Sequence, residues 1–213
     1  MQRFRIGVIR VVTLKDKNLA DLHGKLLEKY FDEFESESFC IENQPEGIHD
    51  ELSYKVAYPK IIKIAKQIQN KFNGLVVSCA GDPAVSELKQ ILEIPVTGAG
   101  EPTARRSMKY GNKVGVIGIE EKAPKVFEEV LGDKLVKYIR PQNIYNTNDL
   151  QTEEGKLSVV KAGQDMKDSG VDVIALACTG MSTAGVSEML TEKIGIEVVD
   201  PVYSEGAYLK DLF

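Results

Sequence analysis

Short apolar runs alternate with longer amphipathic stretches along the whole chain. The apolar runs are rich in Val and Ile, which is typical of strands buried on both faces of a parallel sheet. The stretches between them carry apolar residues at helical spacing, as at Leu19, Leu22 and Leu26. The pattern predicts strands at residues 5–12, 37–41, 75–78, 94–96, 113–119, 135–140, 171–177 and 197–199. It predicts helices at 18–30, 54–72, 83–92, 126–131, 152–170 and 182–193, and a further helix starting at 101–103.

The pattern starts again near the middle of the chain. The run Ile6-Gly-Val-Ile9 recurs as Val114-Gly-Val-Ile117, and each copy opens a series of strands alternating with helices. Such alternation favours parallel sheets covered by helices. We therefore expect an α/β fold of two similar lobes, each with a central parallel sheet flanked by helices, related by pseudo-twofold symmetry. The predicted lobes are residues 1–98 and 99–199, with a tail at 200–213 expected to pack back on the first lobe.

Each half also carries the same short cysteine motif. One copy reads Gly74-Leu-Val-Val-Ser-Cys79-Ala-Gly81-Asp82-Pro83, and the other reads Asp172-Val-Ile-Ala-Leu-Ala-Cys178-Thr179-Gly180-Met181. In both, a strand-like run ends in Cys-x-Gly before a predicted helix. Ligands of parallel α/β lobes bind beyond the carboxyl ends of the strands, and a helix N-terminus favours a thiolate. Glycines there allow close approach of a ligand, and adjacent N–H groups can stabilise an oxyanion.

A free cysteine that ends a core strand is more often a small buried hydrophobe than a reactive group. Cys40 fits that ordinary role, because it lies in Phe39-Cys40-Ile41 with no glycine turn. The recurrence of one turn in two lobes favours a function for Cys79 and Cys178. Two opposed thiols suit the removal of a proton from one face of a carbon and its return to the other.

Composition narrows the class of protein. The net charge of −5, with no Lys/Arg run, argues against a nucleic-acid partner. No apolar stretch is long enough to predict a membrane span, and the strand-like start predicts no signal peptide. Three cysteines without CxxC spacing indicate reduced thiols in a cytoplasmic protein, with no disulfide framework and no metal site. We expect a small-molecule substrate and no cofactor, and the pattern leaves a homo-oligomer open. The turn at 98–100 does not match the dinucleotide fingerprint.

These motifs together resemble the aspartate/glutamate racemase superfamily, and within it the hydantoin and allantoin racemase branch. The resemblance rests on three segments and covers nearly the whole chain: Cys79-Ala-Gly-Asp-Pro-Ala84, Ile94-Pro-Val-Thr-Gly-Ala-Gly100-Glu101 and Cys178-Thr-Gly-Met181. Glutamate racemases usually have Asn-Thr after the first cysteine and Thr-His after the second, whereas this chain has Ala80-Gly81 and Thr179-Gly180 at those places. The resemblance implies a cofactor-independent racemase in which Cys79 and Cys178 are the acid/base pair.

One segment departs from the branch and bears on the substrate. Hydantoin racemases commonly show an Asn-Pro-Asn-Thr-like turn after the first strand, whereas this chain reads Ile9-Arg10-Val11-Val12-Thr13. Arg10 could pair with a carboxylate and Thr13 could keep a hydroxyl contact; a solvent-facing arginine and a turn threonine are the plainer alternatives. The predicted substrate-binding residues are Ala80, Gly81, Thr179, Gly180, Arg10, Thr13 and Gly100.

Three functions remain open on this sequence. The first is racemisation at C5 of a 5-substituted hydantoin, the second is racemisation of a free amino acid such as aspartate or glutamate, and the third is binding of a small molecule without catalysis. Asp82, followed by Pro83, is expected to cap the helix that follows rather than to act as an acid. His23 and His49 adjoin neither cysteine in sequence, which disfavours a Cys–His hydrolase.

Overall fold

The computed structural model describes residues 3–213 and contains two parallel sheets of four strands each. The first sheet has the order β2-β1-β3-β4 and the second has the order β6-β5-β7-β8. The strands are β1 Phe4–Arg10, β2 Phe34–Cys40, β3 Gly74–Ser78, β4 Val96–Gly98, β5 Val114–Ile117, β6 Leu135–Ile139, β7 Val173–Leu176 and β8 Glu197–Val199. The same strand order occurs twice, so the predicted two-lobe α/β fold is confirmed.

Helices cover both faces of each sheet. They are α1 Lys17–Tyr30, α2 Glu51–Ile68, α3 Val85–Ile91, α4 Gly100–Ser107, α5 Lys125–Leu131, α6 Glu153–Asp168, α7 Thr179–Thr183, α8 Val186–Ile194 and α9 Pro201–Lys210. None of the helices in residues 3–213 combines the length and apolar character that crossing a membrane requires.

Two helices differ from the prediction because the backbone turns left-handed. The stretch 182–193 was predicted as one helix, but Gly185 has φ 72° and separates α7 from α8. The helix expected to start at Pro83 begins only at Val85, because Asp82 and Ala84 have φ of 50° and 62°. Left-handed residues cannot continue a right-handed helix, so both helices end or start at these points.

The first sheet is buried between two pairs of helices. Helices α1 and α9 cover one face, in a cluster that includes Ile6, Val8, Leu27, Val76 and Leu209. Helices α2 and α3 cover the other face, in a cluster that includes Ile9, Ile61, Leu75, Val77 and Leu88. The uninterrupted apolar runs of β1 and β3 follow from burial on both faces.

The second sheet is covered in the same way. Helices α6 and α8 pack on one face, and α4 and α5 pack on the other, where Ala104 and Phe127 meet Val116 and Val173. Helix α4 follows a strand of the first sheet and α9 follows a strand of the second, so each sheet is covered by one helix that continues from the other lobe. The boundaries expected at residues 98 and 199 stay a prediction.

Candidate functional site

A cavity of ≈ 260 Å³ lies between the lobes, beyond the carboxyl ends of the central strands. Most of the larger side chains that the first lobe contributes to the lining are apolar, namely Val11, Val12, Leu14, Leu19, Leu22 and Ile48, and Arg10 and Ser78 join them. Most of the larger side chains that the second lobe contributes bear a polar group, namely Glu120, Thr147, Asn148, Gln151, Thr179 and Thr183, and Ile119 joins them. The position matches the ligand site expected for parallel α/β lobes.

The two cysteine turns meet in this cavity. Cys79 directly follows β3 and Cys178 lies two residues after β7, and both line the cavity. Cys79 is half-buried and Cys178 is buried. Ala80, Gly81, Thr179 and Gly180 line the same cavity beside them. The Oγ1 of Thr179 also donates to the carbonyl oxygen of Ser78 at 3.3 Å, which joins the two turns across the lobes.

Backbone N–H groups of the turns point at the sulfurs. The N–H of Gly81 donates to Cys79 Sγ at 3.5 Å, and the backbone N–H groups of Gly180 and Met181 lower the pKa of Cys178. Each donor stabilises the thiolate form of the cysteine that it contacts, because it binds the charged sulfur more strongly than the neutral one.

Burial nevertheless dominates the acidity of both thiols. It raises the pKa of Cys79 well above the ordinary value and the pKa of Cys178 to about 11, and the N–H donors offset only part of this. The nearby carboxylate of Glu120 raises both pKa values further. The expectation that both cysteines sit at a helix start was wrong for Cys79, since α3 begins six residues later. The raised pKa values favour the thiol form of both cysteines at neutral pH.

Arg10 lines the cavity, but part of its guanidinium is already bound. Its Nη1 donates to the carbonyl oxygens of Ala20 at 2.6 Å and Leu19 at 3.3 Å, at the start of α1. The side chain is 8% exposed, so the alternative of a solvent-facing arginine was wrong.

Comparison with known proteins identifies the family. Residues 27–204 match the family model described as Asp/Glu/Hydantoin racemase. The chain belongs to this family. A hydantoin racemase of Paenarthrobacter aurescens is 24% identical over 140 residues, which covers 63% of this chain and 58% of that protein. A glutamate racemase of Enterococcus faecalis is 30% identical over 129 residues, covering 53% of this chain and 45% of that protein. The matched part thus spans about half the length of these curated relatives.

Solved structures of racemases share the fold. An allantoin racemase from Klebsiella pneumoniae superposes with a TM-score of 0.85 at 17% identity, covering 98% of this chain and 87% of that chain. The allantoin racemase of Pseudomonas fluorescens gives a TM-score of 0.82 at 19% identity, covering 98% of this chain and 90% of that one. The predicted resemblance to the hydantoin and allantoin racemase branch is confirmed.

Two residues predicted to bind substrate lie outside the cavity lining of this racemase-family chain. The hydroxyl of Thr13 donates to the Ile41 carbonyl oxygen at 2.7 Å and accepts from the Gln44 N–H at 2.7 Å, so it fixes a loop. Gly100 begins α4 beneath the turn, where a Cβ would collide with the carbonyl oxygen of Ala80. Both residues therefore hold backbone segments next to the cavity in place and do not line the cavity themselves.

Asp82 caps a helix, but not the one expected. Its Oδ1 accepts from the N–H of Gly100 at 2.6 Å and its Oδ2 accepts from the N–H of Glu101 at 2.7 Å. Asp82 therefore caps α4, whereas the prediction assigned it to the helix that follows it in sequence. Burial raises the pKa of Asp82 to about 6, although the two N–H donors lower it.

Cys40 ends β2 and does not line the cavity. It is half-buried, so the expectation of a fully buried core position was wrong. It pairs with Arg10 of the neighbouring strand β1.

Four polar residues near the cysteines were not predicted from the sequence. Glu120 lines the cavity, and its carboxylate makes no hydrogen bond or ion pair with any group in residues 3–213. Ser78, His23 and Glu205 form a buried hydrogen-bonded chain that reaches the cavity at Ser78. These three residues come from β3, α1 and α9, so no local pattern brings them together.

Proposed function

We propose that this family member is a cofactor-independent racemase that inverts a carbon next to a carbonyl group, with Cys79 and Cys178 as its acid/base pair. The observation that carries this proposal is the placement of two thiols, at equivalent turns of two similar lobes, on one small cavity. A single lobe supplies one thiol, so a paired site requires both halves of the duplicated pattern.

In the proposed reaction one cysteine works as a thiolate and removes the proton from one face of the carbon. The electron pair moves onto the carbonyl oxygen and leaves a planar enolate. The other cysteine, still a thiol, delivers its proton to the opposite face. For the mirror-image substrate the roles exchange, so the two sulfurs share one proton and titrate as a coupled pair.

The cavity walls favour a small, neutral ring with an apolar substituent. Ligand pockets usually measure about 300–1,000 Å³, and this cavity of ≈ 260 Å³ has room for little more than one substituted ring. The apolar side chains of the first lobe suit a hydrocarbon substituent. The polar side chains of the second lobe suit the N–H and C=O groups of a ring such as a 5-substituted hydantoin.

The charges of the site disfavour a free amino acid. The α-carboxylate of an amino acid needs a cation, but the guanidinium of Arg10 is partly bound to the carbonyl oxygens of α1. The carboxylate of Glu120 would in addition repel an anionic substrate. Similarity to a glutamate racemase keeps amino-acid racemisation as the second candidate.

A substrate screen by polarimetry tests the proposal. Single enantiomers of 5-methylhydantoin, 5-isobutylhydantoin and allantoin, and of free aspartate and glutamate, are each incubated with the purified protein. We expect loss of optical rotation with the hydantoins above the rate without protein, and none with the amino acids. Racemisation of amino acids alone would favour the second candidate, and ligand binding without any racemisation would reject catalysis.

Cysteine variants test the assignment of the thiols. Cys79→Ala and Cys178→Ala should each lower racemisation by about 10²–10⁴-fold, the usual contribution of a positioned acid or base. In D₂O each variant should still exchange the C5 proton of one enantiomer without inverting it, and the two variants should act on opposite enantiomers. Cys40→Ala is the matched control and should keep the parental rate. Racemisation at the parental rate in both single variants would reject the pair.

A further inference from the structure

A chain of buried polar side chains lies behind the first cysteine turn. Ser78 ends β3, and its Oγ lies 2.6 Å from Nδ1 of His23 in α1. The Nε2 of the same imidazole is hydrogen-bonded to Oε1 of Glu205 in α9. His23 and Glu205 are 0% exposed and Ser78 is 3% exposed. Only Ser78 lines the cavity, and it directly precedes Cys79.

The position of one proton decides which way this chain donates. If Glu205 is ionised, His23 donates to it through Nε2, and Nδ1 accepts from the Ser78 hydroxyl. Ser78 then presents only lone pairs to the cavity. If Glu205 is protonated, it donates to Nε2, and the Nδ1–H donates to Ser78 Oγ. The hydroxyl hydrogen of Ser78 is then free to point into the cavity.

The surroundings favour the protonated carboxyl. Its second oxygen, Oε2, is buried without a hydrogen-bond partner among residues 3–213, which would be costly for a carboxylate. The charged groups that face Glu205 are Arg10, which favours ionisation, and Asp82 and Asp200, which oppose it.

Desolvation favours the neutral form of both Glu205 and His23. Burial raises the pKa of Glu205 well above its ordinary value, and the carboxylates of Asp200 and Asp82 add to this. Burial lowers the pKa of His23 well below its ordinary value, and Arg10 lowers it further. A neutral imidazole beside a neutral carboxyl group therefore satisfies both groups.

We infer that Glu205 and His23 hold Ser78 as a hydrogen-bond donor to the oxygen of the planar intermediate in the cavity. This inference rests on the proposed racemase function. Ser78 keeps its proton throughout, because it only donates a hydrogen bond to the oxygen on which negative charge develops. Ser78 is then a catalytic residue, whereas His23 and Glu205 are positioning residues that set the direction of its hydroxyl. A donor fixed in advance, in a site that excludes water, stabilises the charge without reorganising.

The direction of donation can be measured without any substrate. The chain contains two histidines, so ¹⁵N-labelled histidine gives a spectrum of two imidazoles, and a His49→Gln variant assigns them. We expect His23 to be neutral and protonated on Nδ1, and to stay so between about pH 5 and 8, where an ordinary histidine titrates. A neutral imidazole with its proton on Nε2 would overturn the inference, whatever the substrate proves to be, because Ser78 would then donate to His23.

Kinetics test whether the donor acts on the intermediate. Ser78→Ala should lower kcat by about 10²–10³-fold, the usual loss for one such donor, with KM close to the parental value. Ser187→Ala is the matched control, because Ser187 is also buried, and its Oγ has no partner among residues 3–213 and does not line the cavity. A parental kcat in Ser78→Ala, or a loss confined to KM, would overturn the role of the hydroxyl.

A pair of variants at Glu205 separates positioning from packing. The amide of Glu205→Gln can donate an N–H to His23 Nε2, so this variant should keep most of the parental kcat. Glu205→Ala removes the donor and should lose kcat by about tenfold or more. Equal kcat in the two variants would reject the positioning role. If the parental protein racemises no hydantoin, the proposed function fails. The imidazole spectrum still decides in which direction the hydrogen bonds between Glu205, His23 and Ser78 are donated.

Discussion

At the scale of single residues, the acidity of the two thiols controls the proposed chemistry. Burial raises the pKa of both thiols, and the Glu120 carboxylate raises it further. A raised pKa means that the thiol form persists to higher pH than in a free cysteine. The base of the reaction is therefore the minor form at neutral pH, and it becomes more abundant as pH rises.

Alkylation rates report this acidity directly, because only the thiolate reacts with iodoacetamide. In Cys40→Ala/Cys178→Ala only Cys79 remains, and in Cys40→Ala/Cys79→Ala only Cys178 remains. For each, the rate should rise roughly tenfold per pH unit between about pH 7 and 9 and keep rising beyond the ordinary cysteine pKa of about 8.5. A small-molecule thiol is the control and should level off earlier. A plateau near pH 7 would contradict the raised pKa values.

Glu120 is the acidic side chain of the cavity lining, and its charge raises the pKa of both thiols. Its carboxylate has no hydrogen-bond or ion-pair partner among residues 3–213. Burial and the charge of Asp50 raise its pKa. A carboxylate accepts hydrogen bonds and cannot donate them. We therefore expect it to accept an N–H of the substrate ring, which a neutral hydantoin offers on either side of its C2 carbonyl.

This contact is tested by combining a change in the substrate, methylation of a ring nitrogen, with a change in the protein, Glu120→Ala. Methylation of the ring nitrogen that Glu120 contacts should lower kcat/KM of the parental protein by about tenfold or more, because a hydrogen bond to a charged group contributes about 1.5–3 kcal/mol. The same methylation should cost Glu120→Ala much less. Glu121→Ala, an exposed neighbour, is the control and should keep the parental penalty. An equal penalty in all three proteins, for both ring nitrogens, would remove Glu120 from substrate recognition.

Single residues also show how far the sequence could predict the site. Cys79, Cys178 and their neighbours were predicted because one local pattern occurs twice, and the structure places them on one cavity. Their catalytic roles stay a prediction. The contact between His23 and Glu205 could not be predicted, because 182 residues separate them and the contact depends on how α9 packs. Thr13 does not line the cavity, because its hydroxyl is hydrogen-bonded within a loop, and the local sequence does not reveal this.

At the scale of secondary-structure elements, the turn after Cys79 is tied to a distant helix. Asp82 follows β3 and caps α4 through two short hydrogen bonds. A Cβ at Gly98 would collide with the Asp82 carboxylate, so that position needs glycine for space. The Asp82 carboxylate therefore holds the turn of the first thiol against the start of α4.

Loss of this cap should affect both stability and catalysis. Asp82→Ala removes two hydrogen bonds and should lower the free energy of unfolding by about 1–2 kcal/mol, the range for lost helix caps, and it should also lower kcat because the Cys79 turn loosens. Asp16→Ala is the control, since Asp16 caps α1 by accepting from the Asn18 N–H at 2.8 Å on the surface. It should lose similar stability at parental kcat. Urea denaturation and racemisation rates measure both, and an equal kcat in the two variants would contradict the coupling.

Element types were predictable, whereas several element ends were not. Long amphipathic stretches such as α1 and α6 were predicted within two residues of their observed ends, since apolar periodicity reports burial directly. The prediction failed at Asp82, Ala84 and Gly185, where the backbone is left-handed. Asp82 contacts the start of α4 through its carboxylate, and such a long-range contact leaves no periodic signal in the sequence.

At the scale of the whole molecule, the two lobes are joined by an exchange of helices. Helix α4 leaves the first sheet and packs on the second, and α9 leaves the second sheet and packs on the first, where α4 and α9 also touch. The end of the chain meets its start there, as Phe213 stacks on Phe4 with ring centroids 4.3 Å apart. The Glu205 contact depends on this arrangement, because the packing of α9 on the first sheet brings Glu205 to His23 of α1.

Stability should therefore respond to the C-terminal helix as it does to a core element. Leu209 is 0% exposed and packs with Ile6, Val8 and Val76 of the first sheet, whereas Leu212 is 48% exposed. Leu209→Ala should lower the free energy of unfolding by about 2–5 kcal/mol, because it leaves a cavity in the core. Leu212→Ala removes the same atoms at the surface and should change it by less than about 0.5 kcal/mol. Denaturant titrations with unchanged slope measure both, and equal losses would mean that α9 is not part of the folded core.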